Sequence, residues 1–335
     1  MRKVISILLV LAMVFALAGC GGSKGPDGSA KKVVMITDTG GLGDESFNDL
    51  AYEGILQAAK DFGIQYSVLE SATADDYAPN IAAAVEEGAD LIVCVGFLFE
   101  GVLAEMAPQY PDQLFALVDA QVDAPNVAGL TFSEEEGSFL VGVAAGLMTE
   151  TDTVGYIGGM QFPVIEKFQY GYQAGVKAAN PDAQVIIAYT QSFDDSAAGK
   201  ENALAQHNQG ADVIYHAAGG CGIGLIQAAD EQGFWAIGVD QDQSALAPEH
   251  VLCSMIKRVN VAVYDAIKLV LEDKFTGNDI KYALGMDGVG ISDNAGNVPA
   301  EVMEQVEAWR TKIVAGDFVV PFDLDTFNAF EVPEM

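Results

Sequence analysis

The chain has 335 residues, 50% of them hydrophobic, and its 48 acidic against 16 basic residues give a formal net charge of −32 at pH 7. This acidic composition excludes nucleic-acid binding as a function, because neutralising phosphate groups requires a positively charged surface. The length suits two lobes of ordinary domain size better than a single one.

The N-terminus has the pattern of a secretory signal peptide over residues 1–19. Arg2 and Lys3 precede an apolar stretch that ends in small residues, and Cys20 follows directly after Leu-Ala-Gly. This order is similar to the bacterial lipobox, in which the cysteine is lipidated and becomes the mature N-terminus. We therefore predict lipidation of Cys20 and a flexible tether over residues 20–31, with an ordinary signal peptide or an uncleaved anchor as the alternatives.

Apolar runs of strand length alternate with helical patterns along the rest of the chain, which predicts an α/β fold of parallel sheets with helices on both faces. Long helical patterns cover residues 135–148, 164–179, 259–272 and 300–315. The predicted strands are residues 33–37, 65–69, 91–95, 114–118, 127–132, 153–158, 184–189, 213–216, 235–239 and 251–256.

An internal repeat divides these strands into two groups of five. The segment Glu-Gly-Ala-Asp-Leu-Ile at residues 87–92 reappears as Gln-Gly-Ala-Asp-Val-Ile at residues 209–214. The repeat predicts two similar Rossmann-like lobes. The helix at 259–272 has no partner in the repeat, so we expect it to cross back to the first lobe and the helix at 300–315 to return to the second. Several such crossovers would form a hinge.

The predicted lobes follow from these crossovers. We expect lobe 1 to comprise residues 32–131 plus 257–279, and lobe 2 to comprise residues 132–256 plus 280–335. A two-lobed secreted protein whose strand ends face a cleft suggests a trap that closes on its ligand.

The loop after the first strand gathers polar side chains where parallel sheets bind ligands, at the carboxyl end of a strand. It contains Asp38, Asp44, Ser46, Phe47 and Asn48, and Asp44 is expected to cap the following helix. Its glycines do not have the G-x-G-x-x-G spacing, it is not a P-loop, and an acidic loop is a poor cradle for phosphate. The loop therefore predicts a neutral or cationic ligand.

Beyond the N-terminus, the sequence has no pattern of a membrane span, a metal site or a cofactor site. No later stretch approaches the roughly 18 apolar residues of a membrane-spanning helix. His207, His216 and His250 are scattered and pair with no cysteine at ligand spacing. Cys94 and Cys253 lie in apolar runs, which is typical of buried thiols rather than of a disulfide framework. We predict no metal, no cofactor and attachment to the membrane through the lipid anchor only.

The mature sequence resembles the basic membrane protein family of bacterial substrate-binding lipoproteins over nearly all of its length. The matching blocks are Asp38, Gly-Asp-Glu-Ser-Phe-Asn at 43–48, Val-Gly-Phe at 95–97, Phe-Ser-Glu-Glu-Glu-Gly-Ser-Phe at 132–139, His-Ala-Ala-Gly-Gly at 216–220, Gly-Val-Asp-Gln-Asp-Gln at 238–243 and Ser-Met-Ile-Lys at 254–257. Studied members bind purine nucleosides and have the type I periplasmic binding protein fold.

The resemblance implies a non-enzymatic receptor that captures a purine nucleoside between its lobes. It implies delivery of that nucleoside to the permease and ATPase subunits of an ABC importer. It also implies a place on the extracytoplasmic face of a bacterial cell membrane. For oligomeric state, a monomer is the expectation.

Carried over by position, the family's binding site falls on seven residues. Phe47 and Phe193 would sandwich the base, and Asp119 would face the edge of the base. Asp240 and Lys257 would hold the ribose hydroxyls, with Asp38 and Asn48 lining the side of the first lobe. The sequence departs from the family at Cys221, where small hydroxyl or aliphatic residues are commoner, so the resemblance does not extend to the contacts made by the backbone around residues 220–222.

The same residues have plainer interpretations. Phe47 could serve only to pack its helix, Asp38 and Asp240 could be loop caps, and Lys257 a surface lysine. The three glutamates at residues 134–136 are expected to favour a helix N-terminus through its dipole rather than to contact a ligand.

Other functions stay open at this point. The same fold could receive another small solute, such as a sugar, an autoinducer or a free base. A nucleoside hydrolase using the clustered aspartates is disfavoured, because the sequence has no Gly-x-Ser-x-Gly elbow, no metal spacing and no nucleophile–base pair. An additional role as an adhesin or antigen is compatible with the sequence.

Overall fold

The computed structural model describes residues 30–334. The predicted signal peptide, the predicted lipidation at Cys20 and most of the predicted tether lie outside the described residues. The described chain forms two mostly parallel six-stranded sheets. The predicted fold class, two α/β lobes of the type I periplasmic binding protein fold, is confirmed.

The first sheet has the strand order β2-β1-β3-β4-β5-β11, and all of its strands are parallel. The central strand β1 places Met35 beside Val68 on one side and Val93 on the other. Its apolar residues are buried because helices cover both faces. The strands are β1 (Lys32–Ile36), β2 (Gln65–Leu69), β3 (Leu91–Cys94), β4 (Leu114–Val118), β5 (Val127–Phe132) and β11 (Asp279–Tyr282).

The second sheet repeats this order as β7-β6-β8-β9-β10-β12. Its sixth strand differs from that of the first sheet, because β12 pairs antiparallel with β10. The shared order explains the sequence repeat: β3 begins at Leu91 and β8 at Val213, the equivalent positions of the two matched segments. The strands are β6 (Thr153–Gly158), β7 (Gln184–Tyr189), β8 (Val213–Ala217), β9 (Trp235–Asp240), β10 (Val251–Lys257) and β12 (Val289–Ser292).

Helices cover both faces of each sheet. α4 and α5 pack closely against each other, and Gly175 of α5 makes this possible, since a Cβ there would lie 2.1 Å from the carbonyl oxygen of Phe139. The helices are α1 (Phe47–Phe62), α2 (Tyr77–Glu86), α3 (Glu100–Met106), α4 (Glu134–Met148), α5 (Pro163–Ala179), α6 (Ser196–Asn208), α7 (Cys221–Gln232), α8 (Val259–Leu271), α9 (Ala300–Ala315) and α10 (Leu324–Asn328).

The chain passes between the two sheets after β5, after β10 and after β11. α8 packs on α1 of the first lobe, and α9 packs on α4 of the second, as the sequence predicted. The hinge that the sequence predicted would consist of these three connections.

The sequence did not predict β11 and β12, which form one edge of each sheet. Each has only four residues, and β11 alternates exposed or half-buried side chains before the buried Tyr282. Such short runs have too little apolar pattern to indicate a strand. Among the described residues, the prediction of buried thiols is confirmed for Cys94 and Cys253, and Cys221 is also free and buried.

Candidate functional site

Four charged residues stand at the carboxyl ends of strands that face the space between the lobes. Asp38 follows β1, Asp119 follows β4, Asp240 ends β9 and Lys257 ends β10. Asp119 and Asp240 have left-handed backbones with φ of 69° and 67°. Aspartate tolerates this conformation better than most residues. All four side chains line one cavity between the lobes.

The space free of protein atoms in and around this cavity, open solvent included, is about 420 Å³. Both lobes contribute to its wall, and apolar and aromatic side chains outnumber the charged ones. The lining residues are Asp38, Phe47, Phe97, Asp119, Ile165, Phe168, Phe193, Ala217, Gly219, Val239, Asp240 and Lys257.

On the lobe 1 side, a network of hydrogen bonds orients Asp38. Its Oδ1 accepts from the side-chain amide of Asn48 over 2.8 Å and from the N–H of Gly40 over 2.9 Å. Asp44 in turn accepts from the N–H groups of Ser46 and Asn48, so it caps the start of α1 as the sequence predicted. Burial raises the pKa of Asp38 to about 6 against the lowering effect of the Asn48 amide. Asn48 thus lies behind Asp38, outside the set of lining residues.

The two aromatic residues that the resemblance assigned to the base reach the cavity from different lobes. Phe47 begins α1 in lobe 1, and Phe193 lies in the loop before α6 in lobe 2. Gly159 leaves room for the Phe193 ring, because a Cβ there would come within 2.2 Å of it. Phe97 of lobe 1 meets Phe193 edge to face, with ring centroids 6.2 Å apart, and meets Phe162 of lobe 2 at 5.1 Å.

Lys257 is the cation of the site and is only 1% exposed. Its Nζ lies 2.6 Å from Asp119 Oδ2 and 3.5 Å from Glu134 Oε1. The same atom lies 5.0 Å from the centroid of the Phe47 ring, within cation–π range. Burial lowers the pKa of Lys257, but the attraction of the nearby carboxylates outweighs it and holds the pKa above its usual value. Lys257 is therefore charged and buried, not a surface lysine.

Asp119 and Asp240 both line the cavity near Lys257, and burial destabilises the charged form of each. Burial raises the pKa of Asp119 to about 6 in spite of Lys257. It raises the pKa of Asp240 to about 7, against the lowering effects of Lys257 and of the hydrogen bond from Ser46. Asp119 Oδ1 is buried and has no hydrogen-bond partner within the described protein. A ligand with N–H or O–H donors would satisfy these oxygens.

The structure brings together six of the seven residues that the sequence singled out, with Asn48 one layer behind. Sequence reasoning missed Phe97 and Phe168, which line the cavity, and Glu134, which touches Lys257. The glutamate lies at the start of α4, as expected from the helix dipole, but its burial next to Lys257 depends on a contact between segments far apart in the chain.

Two lobes that close around a cavity with aromatic and charged walls define a ligand-binding protein of the two-lobed class. The chain belongs to the Bmp family, described as ABC transporter substrate-binding protein PnrA-like, whose family model matches residues 31–323. It is therefore a substrate-binding protein of an ABC transporter and not an enzyme, as the sequence predicted.

Similar proteins support the assignment to this family. The chain is 38% identical to a CD4+ T-cell-stimulating antigen of Listeria innocua, over 95% of this chain and 97% of the relative. It is 35% identical to the ABC transporter nucleoside-binding protein BmpA of Lactococcus lactis, over 96% of this chain and 99% of the relative. A solved ABC transporter solute-binding protein from Aeropyrum pernix K1 is 32% identical and superposes with a TM-score of 0.81, covering 89% of this chain and 96% of that one.

Two further findings concern only residues 30–334. None of the helices described there has the length and apolarity that crossing a bilayer requires. No group of three or more His, Cys, Asp or Glu residues in that range is arranged to hold a metal ion.

Proposed function

We propose that this protein captures a purine nucleoside in the cavity between its lobes and delivers it to an ABC importer. The observation that carries the proposal is the composition of the cavity wall. Phe47 and Phe193 line it from opposite lobes, and Asp119, Asp240 and Lys257 line it at the strand ends. Flat aromatic faces suit a planar base, and carboxylates suit the N–H edge of a purine and the vicinal hydroxyls of a ribose.

Energetic magnitudes are compatible with this ligand. Stacking on an aromatic side chain contributes about 1–3 kcal/mol per base, and a hydrogen bond to a charged group contributes about 1.5–3 kcal/mol. Two stacking faces and three such bonds give a gross of about 10 kcal/mol, compared with the roughly 8 kcal/mol of a micromolar complex, before the cost of ordering is subtracted. We expect dissociation constants of about 1 μM or lower for the preferred nucleoside.

The cellular setting belongs to the same proposal. Cys20 would carry the lipid that holds the protein on the extracytoplasmic face of the cell membrane, and permease and ATPase subunits of the importer would receive the ligand. The protein would act as a monomer. The lactococcal relative is named as an ABC transporter nucleoside-binding protein, which supports the proposed ligand class and the proposed importer.

Isothermal titration calorimetry tests the ligand class. The purified protein is titrated with inosine, guanosine and adenosine, and with cytidine and galactose as comparison ligands. We expect micromolar or tighter binding of at least one purine nucleoside and weaker binding of cytidine, whose single ring stacks less. Absence of heat with every nucleoside would refute the proposal, and tight binding of galactose alone would favour a sugar receptor.

A further inference from the structure

The loop before α1 also contacts lobe 2 directly, through two hydrogen bonds beside the cavity. The side-chain Nε2 of Gln243 donates to the backbone carbonyl of Glu45 over 2.9 Å, and the Ser46 hydroxyl donates to Asp240. Glu45 and Ser46 lie between β1 and α1 in lobe 1, whereas Asp240 ends β9 in lobe 2 and Gln243 follows it. Both bonds join the two lobes, so an opening of the cleft would break them.

Bonds within lobe 2 fix the orientation of the buried Gln243 amide. Its Oε1 accepts from the backbone N–H of Val239 over 3.0 Å and lies 2.9 Å from His216 Nε2. Because a carbonyl oxygen only accepts, His216 Nε2 must carry its hydrogen. The backbone N–H of Gln243 donates to Ser254 Oγ over 3.1 Å. Because Oε1 is bonded within lobe 2, the NH₂ group faces lobe 1, where the Glu45 carbonyl accepts its hydrogen bond.

The acceptor is held as firmly as the donor. Glu45 has φ of 51°, in the left-handed region that few non-glycine residues adopt. The Asp49 carboxylate accepts from the N–H of Gly43 over 2.8 Å and from the N–H of Glu45 over 3.0 Å. A strained backbone persists where surrounding contacts determine it. The loop therefore holds the Glu45 carbonyl in place toward Gln243.

We propose that Gln243 is a positioning residue for lobe closure, which binds the Glu45 carbonyl as the cleft closes and slows its reopening. Both partners belong to the protein, so the contribution is the same for every ligand. The inference rests on the role of a substrate-binding protein and not on the identity of the substrate. Loss of one such hydrogen bond should raise the rate of ligand dissociation by about 2- to 10-fold. The association rate should change little, because an open cleft admits the ligand in either case.

The variant Gln243→Glu isolates the contact between the lobes. It keeps an acceptor oxygen for Val239 and His216, and replaces the donor that faces the Glu45 carbonyl with a second acceptor. At pH 8 the new carboxylate oxygen at this position and the carbonyl oxygen of Glu45 would repel each other. Gln232→Glu is the matched control, because it makes the same change at an exposed position of lobe 2, at the end of α7.

Hydrogen–deuterium exchange on the full chain without added ligand measures closure independently of the nucleoside proposal. In Gln243→Glu, the decisive peptide covers residues 40–50, because it lies in the opposite lobe from the substitution. We expect its amides to exchange about 2- to 10-fold faster than in the wild type, and no change with Gln232→Glu. Stopped-flow measurements with inosine should then show faster dissociation at a similar association rate.

A second variant approaches the contact from lobe 1. Asp49→Ala releases the N–H groups of Gly43 and Glu45, so we expect faster exchange in the peptide covering residues 239–246 of lobe 2. If Gln243→Glu loses its near-ultraviolet circular dichroism and is therefore not folded, Asp49→Ala tests the contact in its place. Unchanged exchange across the cleft in the folded variants would overturn the proposed role of Gln243, whether or not inosine binds.

Discussion

At the scale of single residues, Phe47 has two roles: its ring lines the cavity and also lies next to the buried ammonium of Lys257. Phe47→Ala removes a stacking face, so the affinity for a purine nucleoside should fall by about 1–3 kcal/mol, or roughly 5- to 150-fold. Calorimetric titration with the preferred nucleoside measures this loss. Phe47→Tyr keeps the ring and serves as the control. Equal affinities of the wild type and Phe47→Ala would show that this ring does not stack on the ligand.

Lys257 is the second residue whose removal should have a large effect. Lys257→Met leaves Asp119 and Glu134 buried without their common cation, which costs about 3–5 kcal/mol in comparable cases. The loss should be larger at pH 8 than at pH 5, because Asp119, with its pKa raised by burial to about 6, becomes protonated at the lower pH. Urea unfolding at both pH values measures the free energy of unfolding.

Lys60→Met is the control for that experiment, since Lys60 is exposed on α1 and its loss should change stability little. A Lys257→Met protein as stable as the wild type at pH 8 would contradict a charged Lys257 that balances the buried carboxylates.

Asp240 should make ligand affinity depend on pH. Burial raises its pKa to about 7, far above the usual value of an aspartate, so the ligand-free protein takes up a proton as the pH falls through 7. The anion accepts hydrogen bonds from ribose hydroxyls more strongly than the neutral acid does. If the ligand binds the anion, affinity should fall roughly tenfold from pH 8 to pH 6. Calorimetry at pH 8, 7 and 6 tests this, and an unchanged affinity would exclude Asp240 as a charged acceptor.

The sequence singled out six of the residues that line the cavity. Residues such as Asp38 and Phe47 were found because they lie where a strand ends and a helix begins, within motifs of the family. Ser46, Glu134 and Gln243 lie in the same kind of motif, but their roles were not predicted, because these depend on contacts with residues far away in the chain. The bond from Ser46 to Asp240 spans 194 positions, and no local pattern contains it.

At the scale of elements, the close contact of α4 and α5 depends on residues without side chains. In Gly175→Ala, the added Cβ would lie 2.1 Å from the Phe139 carbonyl oxygen, so the helices must separate. We expect a loss of about 1–3 kcal/mol in the free energy of unfolding. Gly101→Ala is the control, because a Cβ at this position in α3 meets nothing within 4 Å and should slightly stabilise the helix.

Denaturant unfolding compares the two glycine variants with the wild type. Similar stabilities for Gly175→Ala and Gly101→Ala would mean that the α4–α5 contact is looser than the structure indicates.

The main elements were predictable because each obeys a strong local rule. All ten predicted strands correspond to strands whose ends differ by one residue at most. Buried parallel strands read as continuous apolar runs, and the helices between them show helical spacing. β11 and β12 are short edge strands whose pairing depends on the second and third crossovers, and their sequence alone does not indicate a sheet.

At the scale of the whole molecule, we propose that residues 32–131 plus 257–279 and residues 132–256 plus 280–335 move as two lobes. The strand pairing supports this division but shifts its boundaries. Phe132 and Tyr282, the last residues of β5 and β11, belong to the first sheet, and Lys257, the last residue of β10, belongs to the second. The sequence repeat predicted two lobes, but it contains no information on how far they close. Closure depends on contacts between the lobes, such as those of Phe97 and Gln243.

A crystal structure of the protein with inosine tests the central claim most directly. We predict that the base lies against the Phe47 ring between the lobes, with its ribose hydroxyls within hydrogen-bond distance of Asp240. An inosine molecule bound outside this cavity, or a cavity occupied by inosine without contact to either residue, would contradict the proposed function.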